Sequence, residues 1–233
     1  MIKLFMARQP LFSNLSLVQM SPNLNVTLTN NDEGFVLTGE HLSLEFYSTF
    51  LFEPRSDFDD LFQDSHLRQG HLTIFGKTVL EPRETAWYGD AGRSYQYSNK
   101  RMNPHAWESS KAGLILLELK NRIEDLTQAK FSSVLVNHYR NGHDSVGWHS
   151  DDEPELGSEP FIASVSLGAE RRFDLRLKSD HTKVVQCRLP HGSLIIMKNQ
   201  TQRYWQHQIP KQRNVVEARV NLTYRMISNL SKA

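Results

Sequence analysis

The chain reads as an α+β protein in which helices precede an antiparallel barrel or jelly roll, and two observations predict this. From residue 111 to 127, Leu116, Leu119, Ile123 and Leu126 recur at spacings of three, four and three, the apolar stripe of an amphipathic helix. From 131 onward the periodicity changes. FSSVLVNHY, FIASVSLG, RRFDLRLK, KVVQCRLP, GSLIIMK and EARVNLTYRMI are short, rich in β-branched residues and separated by turn residues. Segments of this kind with no helical pattern between them fit a closed antiparallel architecture, with the preceding helix covering one sheet face.

The first part of the chain is less regular. Residues 1–40 are polar and rich in asparagine, and LTNNDEGFVLTGEHLSLEF (28–46) predicts a short hairpin. LFSNLSLV (11–18) is too short and interrupted for an export signal and reads as a loosely ordered leader. PRSDFDDLFQD (54–64) has Pro54 and acids where a capped helix would start. LTIFGKTV (72–79) reads as one strand interrupted by Gly76, ahead of a turn at Pro82, and SYQYS (94–98) alternates aromatic and polar side chains. The organisation expected is an extension over 1–65 and one domain over 66–230.

Of the 233 residues, 39% are hydrophobic and 23% charged, the profile of a globular chain. No stretch approaches the roughly 18 apolar residues of a membrane span. Cys187 is the only cysteine, so no intrachain disulfide can form and a reducing interior suits the chain. An intracellular protein is expected, cytoplasmic in a prokaryote and nuclear in a eukaryote. Net charge is only +1 but is split: residues 160–233 carry 13 Lys/Arg against four Asp/Glu, and the remainder 14 against 22. That split fits a basic face for a polyanion opposite an acidic region.

The chemistry concentrates around WHSDDEPELG (148–157). His149-Ser150-Asp151 is a weak signal alone, since a His-x-Asp pair arises readily by chance. His207, in YWQHQIP, lies 56 positions beyond Asp151 and offers a second imidazole. Two imidazoles and a carboxylate on one side of a metal leave three adjacent positions open, as in non-haem Fe(II) oxygenases. Zinc accepts the same donors, but the chain has no H-E-x-x-H. RVNLTYR then alternates Arg219, Asn221, Thr223 and Arg225 with Val220, Leu222 and Tyr224, followed by Met226. As a strand it has one wholly polar face, which in a barrel wall would point into the cavity, where each guanidinium needs an anion. A zinc hydrolase leaves both arginines without a role. In VNHY, Asn137 and Tyr139 share a face and add two neutral donors suited to an acid.

With these residues in hand, the chain resembles the AlkB-type Fe(II)- and 2-oxoglutarate-dependent nucleic-acid dealkylases. The resemblance runs from about 72 to 228 through IFGK, PR, YGDAG, YQYS, NHYRNG, WHSDDE, IASVSLGAERRF, HGSLIIM and RVNLTYR, and is greatest to the branch acting on duplex DNA. It implies a double-stranded β-helix (jelly roll) core over 111–230, N-terminal helices, and a nucleotide-recognition lid over 66–110. It implies a DNA repair dioxygenase using Fe(II), 2-oxoglutarate and O2, which demethylates 1-methyladenine and 3-methylcytosine with release of formaldehyde, succinate and CO2. His149, Asp151 and His207 would hold the iron. Arg219 would pair with the far carboxylate of 2-oxoglutarate, and Asn137, Tyr139, Thr223 and Arg225 would complete its pocket. Tyr95, Gln96 and Tyr97 would contact the flipped base, Asp152 and Glu153 its exocyclic group, and Phe75-Gly76-Lys77 would be the finger entering the vacated stack. Asn99 stands where the resemblance implies glycine. The basic segment 171–188 would contact phosphates. A monomer acting on duplex and single-stranded DNA is expected. Two other readings stay open: an oxygenase acting on RNA or protein, and a non-catalytic nucleic-acid-binding module.

Overall fold

The structure, a computed structural model, describes residues 14–31, 33–51, 58–74, 76–93, 95–97 and 100–228. Its core is two antiparallel sheets enclosing a cavity. The larger sheet runs in the order β2 (Thr27–Asn31), β3 (Gly34–Gly39), β4 (Leu42–Tyr47), β15 (Leu194–Met197), β12 (Ile162–Gly168), β17 (Arg219–Arg225), β10 (Ser133–Tyr139) and β7 (Glu84–Gly89). The smaller runs β1 (Val18–Met20), β14 (Asp180–Leu189), β13 (Arg171–Leu177), β16 (Trp205–Ile209) and β11 (Val146–His149). From β10 to β17 the chain passes back and forth between the sheets, which is the jelly-roll connectivity expected.

Helix α2 (Lys111–Thr127) covers the outer face of the larger sheet. Leu116, Leu119 and Ile123 pack with Val134, Val136, Val165, Leu222 and Tyr224, and Tyr224 donates its hydroxyl to Leu116 O at 2.9 Å. Ser110 caps the helix by accepting from Gly113 N. Gly113 is required there, because a Cβ would lie 2.0 Å from Trp107 O. Between the sheets a second apolar cluster joins Phe35, Leu44, Phe46 and Ile195 to Phe173, Leu175, Val185 and Trp205. Among the described residues no helix is long and apolar enough to cross a membrane.

Several expectations change. Leu126 is 41% exposed, so the helix stripe ends at Ile123 and takes in Ile115 instead. Helix α1 is only Asp59–Phe62, and Pro54 lies outside the described residues. The interrupted strand of 72–79 is a hairpin of β5 (His71–Ile74) and β6 (Lys77–Leu80), because Gly76 takes φ +74° and reverses the chain. The hairpin of 28–46 is a three-stranded meander, β2 to β4, and it extends the larger sheet by pairing β4 with β15. β1 adds to the smaller sheet through β14. Residues from the segment read as an extension therefore belong to both sheets.

The exit of α2 depends on Glu124. Its carboxylate accepts from Lys120 Nζ at 2.9 Å, Lys130 Nζ at 2.8 Å and the Phe131 peptide N–H at 2.9 Å. Burial alone would raise its pKa, but the hydrogen bonds from Lys130, Phe131 and Lys120 outweigh this and hold it below the usual carboxylate range. A depressed folded pKa stabilises the fold above the unfolded value of about 4.3, and that contribution is lost as pH falls through the folded value. Glu124→Ala is expected to cost about 1–3 kcal/mol in urea unfolding at neutral pH, because the Phe131 N–H is left buried and unpaired. Glu124→Gln should flatten the acid limb of the stability profile.

Candidate active site

β11 and β16 are neighbours, and their register sets His149 opposite His207. Facing pairs on one side of an antiparallel ladder are within side-chain contact, and here the ring centroids are 4.2 Å apart. Asp151 follows just beyond the end of β11 and is 3% exposed. One donor atom from each of the three residues lies within 4.8 Å of the other two. Among the described residues this is the one such grouping of His, Cys, Asp or Glu.

The protonation states suit a cation. His207 is buried, and burial followed by the proximity of His149 pushes its pKa down to about 3, leaving a neutral ring with a free lone pair. His149 Nδ1 lies 2.8 Å from Gly147 O, which can only accept, so Nδ1 carries the proton and Nε2 is the donor atom. For Asp151, burial would raise the pKa, but the Arg225 guanidinium outweighs it and holds the carboxyl well below its ordinary value. Arg225 Nη2 is 2.8 Å from Asp151 Oδ1.

All seven residues of β17 are buried, three against α2 and four toward the cavity. Asn221 donates to Ser164 Oγ at 2.7 Å and accepts from Thr223 Oγ1 at 3.1 Å. Arg219 is 1% exposed and donates from Nη2 to Ser166 Oγ at 2.9 Å, while Nε and Nη1 have no partner. Its guanidinium lies 5.2 Å from the Tyr139 ring centroid. Burial, partly offset by Tyr139, brings its pKa down to about 10, so it stays charged at neutral pH. A buried cation with two unfilled donors calls for an anionic ligand such as a carboxylate. The cavity it faces holds about 400 Å³ and is lined on its apolar side by Phe173, Leu189, Met197 and Ile209.

The other expected residues divide. Asn137, Tyr139, Thr223 and Arg225 line this cavity, although Asn137 accepts from Arg83 Nε at 2.8 Å and Arg225 is engaged with Asp151. Glu153 is at the cavity wall, whereas Asp152 is exposed and pairs with Lys178 Nζ at 3.1 Å. Gly76 is exposed between β5 and β6, and Lys77, also exposed, opens β6 opposite Ile74; neither lines the cavity. Tyr95, Gln96 and Tyr97 form strand β8 (Tyr95–Tyr97), paired with β9 (Lys100–Met102), with side chains outside the described set. Phe75 and Asn99 lie outside the described residues. The basic segment is corrected in part. Arg171 is buried and donates to the carbonyls of Asn141, Asp144 and Pro210, so it holds loops together and cannot meet phosphate. Arg172 and Lys183 are paired with Asp174 and Glu40. Sequence reasoning missed Arg83 and Ser164 at the cavity wall and Ser166 as the partner of Arg219. The period-2 serines of IASVSLG were the available signal for the last two.

Removing the Arg225 guanidinium leaves the Asp151 carboxylate buried without its counter-ion. Arg225→Ala is expected to destabilise the metal-free protein by about 3–5 kcal/mol in denaturant unfolding, and adding Asp151→Asn should recover much of that loss.

Residues 52–225 match the 2OG-Fe(II) oxygenase superfamily. The alkB homolog 3 dioxygenase of Homo sapiens is 47% identical over 158 residues, covering 64% of this chain and 53% of that protein. DNA oxidative demethylase ALKBH2 of Mus musculus is 38% identical over 204 residues, 82% of each chain. The solved structure of OsALKBH1 superposes with a TM-score of 0.55 at 18% identity, over 78% of this chain and 97% of that one, and shares the fold. Matched segments span 52–62% of the length of the alkB homolog 3 relatives. With three quarters of its length matched and this site inside the matched region, the chain belongs to the 2OG-Fe(II) oxygenase superfamily, whose cofactors are Fe(II), 2-oxoglutarate and O2.

Proposed function

We propose that the protein is a dioxygenase that demethylates N-alkylated bases in DNA, 1-methyladenine and 3-methylcytosine among them. The observation that carries this is the convergence of His149, Asp151 and His207 beside a buried Arg219 with two unfilled donors. That pairing meets the needs of a metal and of a dicarboxylate in one cavity. The DNA substrate is supported by relatives named DNA oxidative demethylase ALKBH2, 36–38% identical in three mammals.

In this reading His149 Nε2, His207 and Asp151 hold the iron, and Arg225 keeps Asp151 ionised and aimed. Arg219 takes the far carboxylate of 2-oxoglutarate, with Tyr139, Asn137 and Thr223 around it. The chemistry supplied by bound iron is hydroxylation of the N-methyl carbon, which departs as formaldehyde while 2-oxoglutarate becomes succinate and CO2. The chain supplies position and dryness: Phe173, Leu189, Met197 and Ile209 keep water from the cavity's apolar side. A base must leave its stack to enter, at a cost of a few kcal/mol, which Phe75, Gly76 and Lys77 together with Tyr95, Gln96 and Tyr97 would offset. The methylated bases are cationic, and Glu153 at the wall suits that charge; Asp152, paired with Lys178 outside it, would have to release that lysine to do the same.

Incubation with Fe(II), 2-oxoglutarate and matched single-stranded DNA, duplex DNA and RNA oligonucleotides carrying one methylated base tests the reading. Formaldehyde and restored base are expected from DNA, and exclusive turnover of RNA would reject the DNA assignment. His207→Ala should abolish 2-oxoglutarate decarboxylation; undiminished decarboxylation would defeat the metal assignment. Arg219→Ala should raise the KM for 2-oxoglutarate by about one to two orders of magnitude, the loss of a charged hydrogen-bond partner, with folding retained.

A further inference from the structure

The metal-site side chains come from two stretches of chain, 149–151 and 207. The second stretch is introduced by a four-residue helix, α3 (Thr201–Tyr204), whose Gln202 is 1% exposed. β11 ends at His149, so the peptide N–H of the buried Asp151 has no strand neighbour to receive it. Gln202 receives it instead, with Oε1 at 3.0 Å. The amide cannot turn over. Its Nε2 donates to Met197 Sδ at 3.3 Å, and the reversed orientation would aim a donor at a donor.

Two further ties join the same stretches. Ser150 Oγ donates to Trp205 O at 2.9 Å, and Lys178 Nζ bridges Asp152 Oδ2 at 3.1 Å and Gln202 O at 3.0 Å. Helix α3 is in turn held by the N-terminal meander. Thr201 Oγ1 accepts from Ser43 N at 2.9 Å, Trp205 Nε1 donates to Glu40 O at 2.9 Å, and the His41 ring stacks on Tyr204 at 4.0 Å. These meander residues precede residue 52, where the family match begins.

We propose that Gln202 is a positioning residue for the metal site: its amide fixes the Asp151 peptide and so aims that carboxylate at the point where His149 and His207 converge. The inference rests on the metal-site reading above. Asp151 is gripped at both ends, by Arg225 at Oδ1 and by Gln202 at the main chain. Without the amide acceptor the buried N–H must find another partner, and it can do so only by moving the loop that carries the ligand. Groups that orient a metal ligand in this way change metal affinity about 10–100-fold.

The test uses two near-isosteric variants, titrating metal-free protein with Co(II) without oxygen and following its visible spectrum and binding heat, with thermal melts alongside. Gln202→Met keeps length and burial but removes the acceptor; Gln202→Glu keeps an acceptor oxygen. Gln202→Met is expected to remain folded, melting somewhat below the wild type because a buried N–H loses its acceptor, to bind Co(II) about 10–100-fold more weakly and to show an altered spectrum, while Gln202→Glu binds at least as tightly as the wild type. Wild-type affinity in Gln202→Met overturns the proposal, as does an equal loss in both variants. If the wild type binds no Co(II), the metal-site reading fails instead. Amide hydrogen exchange on the unaltered protein gives a check that needs no variant: the Asp151 N–H should be protected, and exchange at the rate of an open loop overturns the proposal.

Discussion

β17 is buried on both faces, and the rest of the molecule is arranged around what that requires. Val220, Leu222 and Tyr224 have their environment in α2 and the neighbouring strands. Arg219, Asn221, Thr223 and Arg225 face inward, where polar groups without partners cost several kcal/mol each. Arg219 and Asn221 find partners on the neighbouring β12, in Ser166 and Ser164, Thr223 donates to Asn221 within β17, and Arg225 pairs with Asp151 beyond β11. The two sheets are thus joined by a polar contact, Arg225 to Asp151, as well as by the apolar cluster between them. Two donors of Arg219 remain unfilled, and they mark the place reserved for a ligand.

The charges around the cavity form a balance with a functional meaning. Around the cavity Arg83, Arg219 and Arg225 contribute three positive charges, and Asp151 and Glu153 two negative. A divalent metal alone adds two positive charges to a site already net positive. A metal arriving with a dicarboxylate leaves the balance unchanged. Occupancy by one therefore favours occupancy by the other, and such coupling is reciprocal.

Legibility in the sequence followed the range of the interaction concerned. The α2 stripe and the alternation in RVNLTYR are local periodicities, and both appear in the structure, the helix with a shift from Leu126 to Ile115. His149, Asp151 and His207 share no local pattern, and it was the ordered run of motifs from IFGK to RVNLTYR that joined them. The β5–β6 reversal turned on one positive φ at Gly76, where a glycine inside a strand pattern has several readings. The pairing of Arg225 with Asp151 at 2.8 Å left no mark in the sequence, because the two lie 74 positions apart. Gln202 and the meander's place beside β15 gave no signal at all, since their partners are far away in the chain.

The meander has a consequence for how the protein is made. Ser43 and its partner Thr201 are separated by 158 positions, and β4 pairs with β15 rather than with anything nearby downstream. As the chain emerges from the ribosome, Phe35, Leu37, Leu44 and Phe46 appear early, yet the strands that cover them come last. Until residues 173–209 have been made this apolar surface waits uncovered, and the nascent chain is exposed to aggregation in that interval.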